Sequence, residues 1–389
     1  KLGQNNKCQN KYDKLQRKFN HQPEKKAIIA ILGYDFDLNS EYFDELELAS
    51  KMAPRSIEII ITIIDSFMKM ERIDIAYYFL KKGLLINQNN ESILKIGMNI
   101  SQVMKDLKID INKITKISIL KSPIYTDVEV MRNVIDIIPE RKVKIKKSKK
   151  KVAIHSHTLD IGGAERQVSY LLNLLHKKEV KNSDFALVTN KIPNESNIAN
   201  TYYKDLKIDE IDIFEYYLPP TNSKVNENLR RKIRHLNPLK FSRLESMIEI
   251  YSNGRFSIAH TWQDYCNIYG GLAALIAGVD KIMMSARTVS PPRKSILAIR
   301  QSRSYKECYQ LLLNNENVFL THNSEYGSND YKKWLEIDDN KNIVIHNGID
   351  VKKKNGIITM DIKENLNIGN DNLVVGYVGR FTADKRPWL

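Results

Sequence analysis

Cysteine is scarce in this chain. Cys8, Cys266 and Cys308 are too few and too widely spaced for a disulfide framework or a thiolate metal site. That usage suits a reducing cytoplasm, with each thiol an ordinary surface or buried group. Long hydrophobic runs are also missing: none approaches the roughly 18–20 residues that a membrane span needs. The longest, Ile57 to Ile64, carries Glu58 and Thr62 inside it and fits a buried helix. No secretory leader is visible, although the chain starts at Lys1 rather than Met. Neither G-x-G-x-x-G nor a Walker-type loop occurs, which sets aside the dinucleotide fingerprint and the P-loop. An Asp-x-Asp string, Asp35-Phe36-Asp37, lies in a helical stretch far from the motifs below and reads as surface acids. Acidic residues are outnumbered, 46 against 61 Lys and Arg, and the net charge of +15 calls for an anionic partner. Nucleic acid, acidic lipid and phosphorylated substrates all satisfy that demand.

A length of 389 residues predicts two or three domains, and a hydrophobic fraction of 42% predicts that most of the chain folds. Residues 1–27 form a basic polar tail, loose or singly helical. Residues 28–140 show apolar positions spaced by three and four, a helical pattern. Within them Ile57 to Asn90 resembles a tetratricopeptide repeat, with Ile60, Ile63, Phe67, Ala76, Leu80 and Gly83 at packing positions. A generic helical hairpin is the competing reading. Residues 141–151, RKVKIKKSKKK, read either as a solvated interdomain linker or as a tether to anionic lipid.

From Lys151 onward short β-rich runs alternate with helices, the pattern of an α/β domain with a parallel sheet covered on both faces. Predicted strands are Val152–Ser156, Phe185–Thr189, Ile211–Tyr216, Ser257–His260, Ile282–Ser285, Val318–Thr321 and Ile343–Ile345. Predicted helices include Ala164–His176, Arg230–Tyr251, Ile268–Ala277 and Arg293–Leu313. A second unit is expected to open with a strand at Leu373–Tyr377.

Two segments carry chemistry. In KVAIHSHTLDIGGAERQVSYLLNLL (Lys151 to Leu175) a strand leads through Gly162-Gly163 into an amphipathic helix. Paired glycines before a helix N-terminus make either an anion site or a mere tight turn. In LVVGYVGRFTADKRPWL (Leu373 to Leu389), Arg380 and Lys385 follow a strand, and such a pair suits a diphosphate.

These two segments, with IVIHNGID (Ile343 to Asp350) between them, resemble the glycosyltransferase family 4 type over about Lys151 to Leu389. G-G-A-E-R is similar to that family's first loop, H-N-G-I-D to its interdomain crossover, and G-R-x-x-x-x-K to its donor-phosphate loop. The resemblance implies a GT-B architecture: an N-terminal Rossmann-like, acceptor-side domain over residues 152–346, and the crossover and start of a donor-binding domain over residues 347–389. The all-α extension in front is not part of it. It further implies a retaining transfer of a hexosyl-type sugar from a nucleotide-sugar donor to a glycan or lipid-linked acceptor, in surface polysaccharide or lipopolysaccharide biosynthesis.

Under that resemblance Gly162, Gly163, Arg380 and Lys385 hold the donor diphosphate without a metal or other cofactor. His260, at a predicted strand end, contacts the sugar or organises the acceptor hydroxyl. Arg287 and Asp264, with Trp262, are candidates for substrate contact, and His155 or His157 for the acceptor side. Glu165 either caps its own helix or positions a ligand. The HNGID stretch is expected to set a hinge rather than touch substrate. The family's second domain continues past Leu389, so the 389-residue chain by itself is expected to be inactive. The helical extension suggests a protein partner, and the basic run an anionic membrane face and a cytoplasmic, peripheral location. A non-catalytic scaffold with a transferase-like fold is the alternative. Nucleic-acid binding is not expected, because no aromatic-basic platform accompanies the charge.

Overall fold

The computed structural model describes residues 2–138, 151–177, 184–206, 210–217, 225–291, 303–348, 362–369 and 371–377. The basic linker around residues 141–150 lies outside them, as do Arg380 and Lys385.

Among the described residues eight α-helices come first: α1 (Leu2–Lys18), α2 (Pro23–Asp35), α3 (Tyr42–Met52), α4 (Ile57–Lys69), α5 (Ile73–Ile86), α6 (Glu91–Asp106), α7 (Lys116–Lys121) and α8 (Thr126–Ile135). The segment read as a tail is therefore mostly helix, and it is docked. Tyr12 is buried and accepts a hydrogen bond from Asn39 Nδ2 at 3.0 Å. The hairpin α4–α5 forms where the repeat-like spacing lies, with Ile60, Ile63, Phe67, Ala76 and Leu80 all buried. Gly83 lets α5 close on its neighbours, since an added Cβ would lie 2.9 Å from Ile93 Cδ1. A buried ion pair ties the block together. Arg72 meets Asp74 through two 2.9 Å hydrogen bonds and donates to the Tyr34 hydroxyl at 2.9 Å and the Ile119 carbonyl at 3.1 Å.

The second part is a seven-stranded parallel sheet: β1 (Lys151–His155), β2 (Phe185–Thr189), β3 (Asp212–Glu215), β4 (Phe256–Trp262), β5 (Lys281–Ala286), β6 (Val318–His322) and β7 (Asn342–Val344). Its order is β3-β2-β1-β4-β5-β6-β7. Between the strands run α9 (Gly163–Lys177), α10 (Glu195–Ile198), α11 (Glu227–Ile233), α12 (Pro238–Gly254), α13 (Gln263–Tyr265), α14 (Gly271–Ala277), α15 (Tyr305–Leu313) and α16 (Glu325–Leu335). The α/β class and the Rossmann-like domain expected from the sequence are present. Alternation in the strands divides two cores: Ile154, Phe185 and Leu187 face α9, while Ala153, Ala186 and Val188 face the other side. That other core is continuous with the helical block, joining Phe67, Val128 and Met131 to Tyr269, Cys308 and Leu312.

Asp127 of α8 sits at this junction, 2% exposed. Its Oδ2 accepts from Ser304 Oγ at 2.7 Å and Tyr269 OH at 3.3 Å and lies 3.5 Å from Lys240 Nζ. Lys240 also reaches both Glu71 oxygens, at 2.8 and 2.7 Å. Burial, reinforced by the charge of Asp127, pushes the Glu71 carboxyl above its ordinary range. A second contact lies at α6, where Arg234 and His235 converge on Asp106 at 3.0 and 2.9 Å.

Two sequence expectations need correction, and a third falls partly outside the described residues. The predicted helix Arg230–Tyr251 is two, α11 and α12, because Asn237 caps a new start with Pro238 in its first turn. The predicted strand Leu373–Tyr377 is not a strand and is not buried: Leu373 is 91% and Val375 85% exposed, and neither is paired to the sheet. Apolar residues in sequence do not make a strand without a neighbour to take up their backbone hydrogen bonds. The predicted helix Arg293–Leu313 is described only as α15, because residues 292–302 lie outside the described set.

Replacing Asp127 by Ala leaves Lys240, Tyr269 and Ser304 short of an acceptor at a buried junction. The expected loss is about 2–3 kcal/mol in a urea unfolding curve. A loss below about 0.5 kcal/mol would show that the junction does not depend on this carboxylate.

Candidate functional site at the carboxyl edge of the sheet

The chain leaves β1 towards β2 and β3, then returns to the other side of β1 as β4. In a parallel sheet this reversal opens a crevice beyond the carboxyl ends of β1 and β4, where such folds bind ligands. The local sequence builds that crevice from two sides.

On the β1 side, Ser156 N donates to Val188 O at 3.0 Å, and the buried Leu159 anchors the loop. The helix α9 then opens at Gly163, with Arg166 N bonded to Gly162 O at 3.0 Å. The N–H groups of its first turn have no intrahelical acceptor, and the helix dipole adds partial positive charge there. A Cβ built on Gly163 meets nothing within 4 Å, so the helix start borders open space. A Cβ on Gly162 would lie 2.1 Å from Glu165 Oε2, which places the Glu165 carboxylate over its own helix start. The other oxygen, Oε1, accepts from Gln263 Nε2 at 2.7 Å. Glu165 thus ties the helix start to the end of β4.

On the β4–β5 side, residues two apart face the same way. His260 and Trp262 stack with ring centroids 4.9 Å apart. His260 Nε2 lies 2.9 Å from Ser285 Oγ, which lies 2.6 Å from Thr321 Oγ1 on the next strand. The Arg287 guanidinium lies over the Trp262 indole at 4.5 Å, and its Nη2 donates to Asn347 Oδ1. Burial, then the charge of Arg287, pushes His260 down to about 4, so the imidazole is neutral at pH 7. Burial alone pushes Arg287 down to about 10. The crossover closes the edge: Gln167 Nε2 donates to Gly348 O at 3.4 Å, and His346 Nδ1 lies 3.3 Å from Asn323 O.

The structure therefore brings Gly163, Glu165, His260, Trp262 and Arg287 to one edge. His260 does not end its strand, which runs on to Trp262. Asp264 turns away: its Oδ1 accepts from Tyr309 OH at 2.9 Å and Tyr331 OH at 2.7 Å, so it holds α15 and α16 to the fold. His155 is fully buried beside Gly270, where a Cβ would lie 2.4 Å from its Nδ1, and that nitrogen is 3.0 Å from Tyr251 OH. His157 lies 2.7 Å from Tyr216 OH. Gln263 was not legible as a site residue, yet it holds a left-handed φ of 70° at the mouth of the crevice, a conformation side chains other than glycine seldom adopt. Ser285 and Asn347 were equally hidden, since a serine in a strand and an Asn-Gly turn carry no signal of their partners.

No protein-family profile matches the chain. The chain is 22% identical over 255 residues to the Vi polysaccharide biosynthesis protein VipC/TviE of Salmonella typhi, a match covering 61% of this chain. The same match spans 44% of that curated relative, so less than half its length is represented.

Two outcomes follow from the geometry. Burial holds His155 near 3 and His157, His260 and His322 near 4, against an ordinary value of 6.5. A depressed histidine binds fewer protons folded than unfolded, so its contribution is complete above pH 6.5 and is lost as pH falls towards 4. Urea midpoints should drop between about pH 7 and pH 5, and a midpoint that rises on acidification would contradict this. Separately, Gln263→Gly relieves left-handed strain of about 1 kcal/mol while losing one hydrogen bond and adding chain entropy. Stability should change by less than about 1 kcal/mol in thermal melts.

Proposed function

We propose that this chain belongs to a glycosyltransferase of polysaccharide biosynthesis, supplying the acceptor-side Rossmann-like domain and the crossover that follows it. The observation that carries the reading is the open helix start at Gly163, tethered through Glu165 and Gln263 to the end of β4 at the point where strand order reverses. A polysaccharide-biosynthesis protein among its relatives supports the same reading.

In this proposal the nucleotide diphosphate of the donor rests on the first turn of α9, and Arg380 and Lys385 neutralise it. Their effect is largest as the glycosidic bond breaks and negative charge gathers on the leaving phosphate oxygen. His260, uncharged at neutral pH, offers its free ring nitrogen to a sugar or acceptor hydroxyl. Retention, the hexosyl donor and a glycan or lipid-linked acceptor come with the family resemblance. No helix among the described residues is long and apolar enough to cross a membrane. The basic run at residues 141–151 is the proposed contact with anionic lipid. The helical block is the proposed seat of a protein partner.

Ligand-detected NMR with a panel of nucleotide sugars tests the donor. Gly163→Ala should leave the melting temperature unchanged, because its Cβ meets nothing, and weaken the bound nucleotide sugar at least about tenfold, roughly 1.4 kcal/mol. Undiminished binding in that variant, or no nucleotide sugar bound at all, removes the proposal. Co-sedimentation with vesicles tests the membrane contact: it should require anionic lipid and weaken with salt. Binding indifferent to both would rule that contact out.

A further inference from the structure

The partly buried cations of this protein differ in what neutralises them. Arg72 is buried with Asp74 against it, and Lys240 reaches Glu71 and Asp127. Arg287 faces no carboxylate among the described residues. Its guanidinium is instead gripped by neutral groups, the Trp262 indole at 4.5 Å on one face and the Asn347 amide oxygen on one edge. Its Nε is buried without a hydrogen-bond partner, and so is the indole Nε1 of Trp262 beneath it. A cation withdrawn from water costs free energy unless an opposite charge meets it, and an orphaned buried donor adds to that cost. The group is nevertheless held rigidly, because the stacked plane and the amide fix the orientation of the fork. A held, uncompensated arginine fork is a preformed receptor for a two-oxygen anion.

We propose that Arg287 binds an anionic group, a phosphate or a carboxylate, carried by the acceptor substrate on the β4–β5 wall beside His260. Assigning the anion to the acceptor rests on the glycosyltransferase reading; the anion site itself does not. The donor diphosphate is placed at the helix that follows β1, and β4 lies between β1 and β5. Adjacent strands lie about 4.8 Å apart, so the carboxyl ends of β1 and β5 are separated by about 10 Å, more than one diphosphate covers. A second anion is needed to fill the second position. The crossover adds a control on access, because Asn347 reaches Arg287 from the segment that leaves this domain. Anion binding and the placement of that segment are therefore coupled through one side chain.

The test is titration of the protein with inorganic phosphate and with acetate at fixed ionic strength, read by tryptophan fluorescence and melting temperature. Both probes should bind through Arg287. Tighter binding of phosphate points to a phosphorylated acceptor, and tighter binding of acetate to a carboxylated one. Arg287→Gln should weaken the better probe at least tenfold, and Arg287→Lys should recover part of it, having charge without the fork. Asn347→Asp provides a check that leaves the arginine in place: an internal carboxylate should occupy the fork and weaken the probe at least tenfold. Unchanged affinity in a folded Arg287→Gln, or in Asn347→Asp, overturns the proposal. Titration of the unaltered protein with nucleotide sugars separates the two readings. If nucleotide sugars fail to bind while Arg287-dependent phosphate binding persists, the transferase assignment falls and the anion site stands.

Discussion

All seven strands of the sheet run in one direction, and that constraint decides where chemistry is placed in this molecule. Parallel strands put every carboxyl end on one edge, and each connection must cross the sheet through a helix before the next strand begins. Because β1 is followed outward by β2 and β3 and flanked on its other side by β4, the connections part at that edge and leave a crevice. Gly163, Gln263 and Arg287 reach the crevice for one reason: each follows closely on the end of β1, β4 or β5.

The second constraint is charge at the junction of the two parts. The helical block is packed on the sheet's helices through a shared apolar core, and at its centre a carboxylate, an ammonium and two hydroxyls satisfy one another. Burying such groups is tolerable only when each finds a partner. Tyr269 belongs to the π-helical turn Cys266–Gly270, which continues the chain from Trp262 and Gln263. Packing of the block and shape of the crevice thus meet within a few residues of one segment. Gly270 is a tight point there, since no side chain could stand between that turn and His155.

Much of this was legible in the sequence, and the limits were physical. Strand positions came through well: Phe185–Thr189 coincides with β2, and Val318–Thr321 falls one residue short of β6. A fully buried strand such as β2 is apolar but for its last residue, Thr189, and announces itself. The glycine-bordered start of α9 was visible because paired glycines ahead of an amphipathic run stand out in the sequence. The tyrosine partners of Asp264 were not legible, because an acid near a strand end looks alike whether it faces ligand or tyrosine. The two tyrosines that claim it come from 45 and 67 positions away. Gln263 was overlooked because a left-handed glutamine leaves no mark in composition or periodicity.

The shared core also bears on how the chain is divided. Residue patterns change at Lys151, and a cut there would look natural on paper. In the folded protein that cut would uncover the faces of α15 and the π-helical turn, exposing Cys308 and Tyr269 to water and leaving Lys240 without either of its acids. The sheet part released in this way would carry a sticky apolar surface beside an unpaired ammonium, a recipe for self-association rather than for a minimal enzyme. For this chain the boundary of sequence pattern and the boundary of cooperative folding lie in different places.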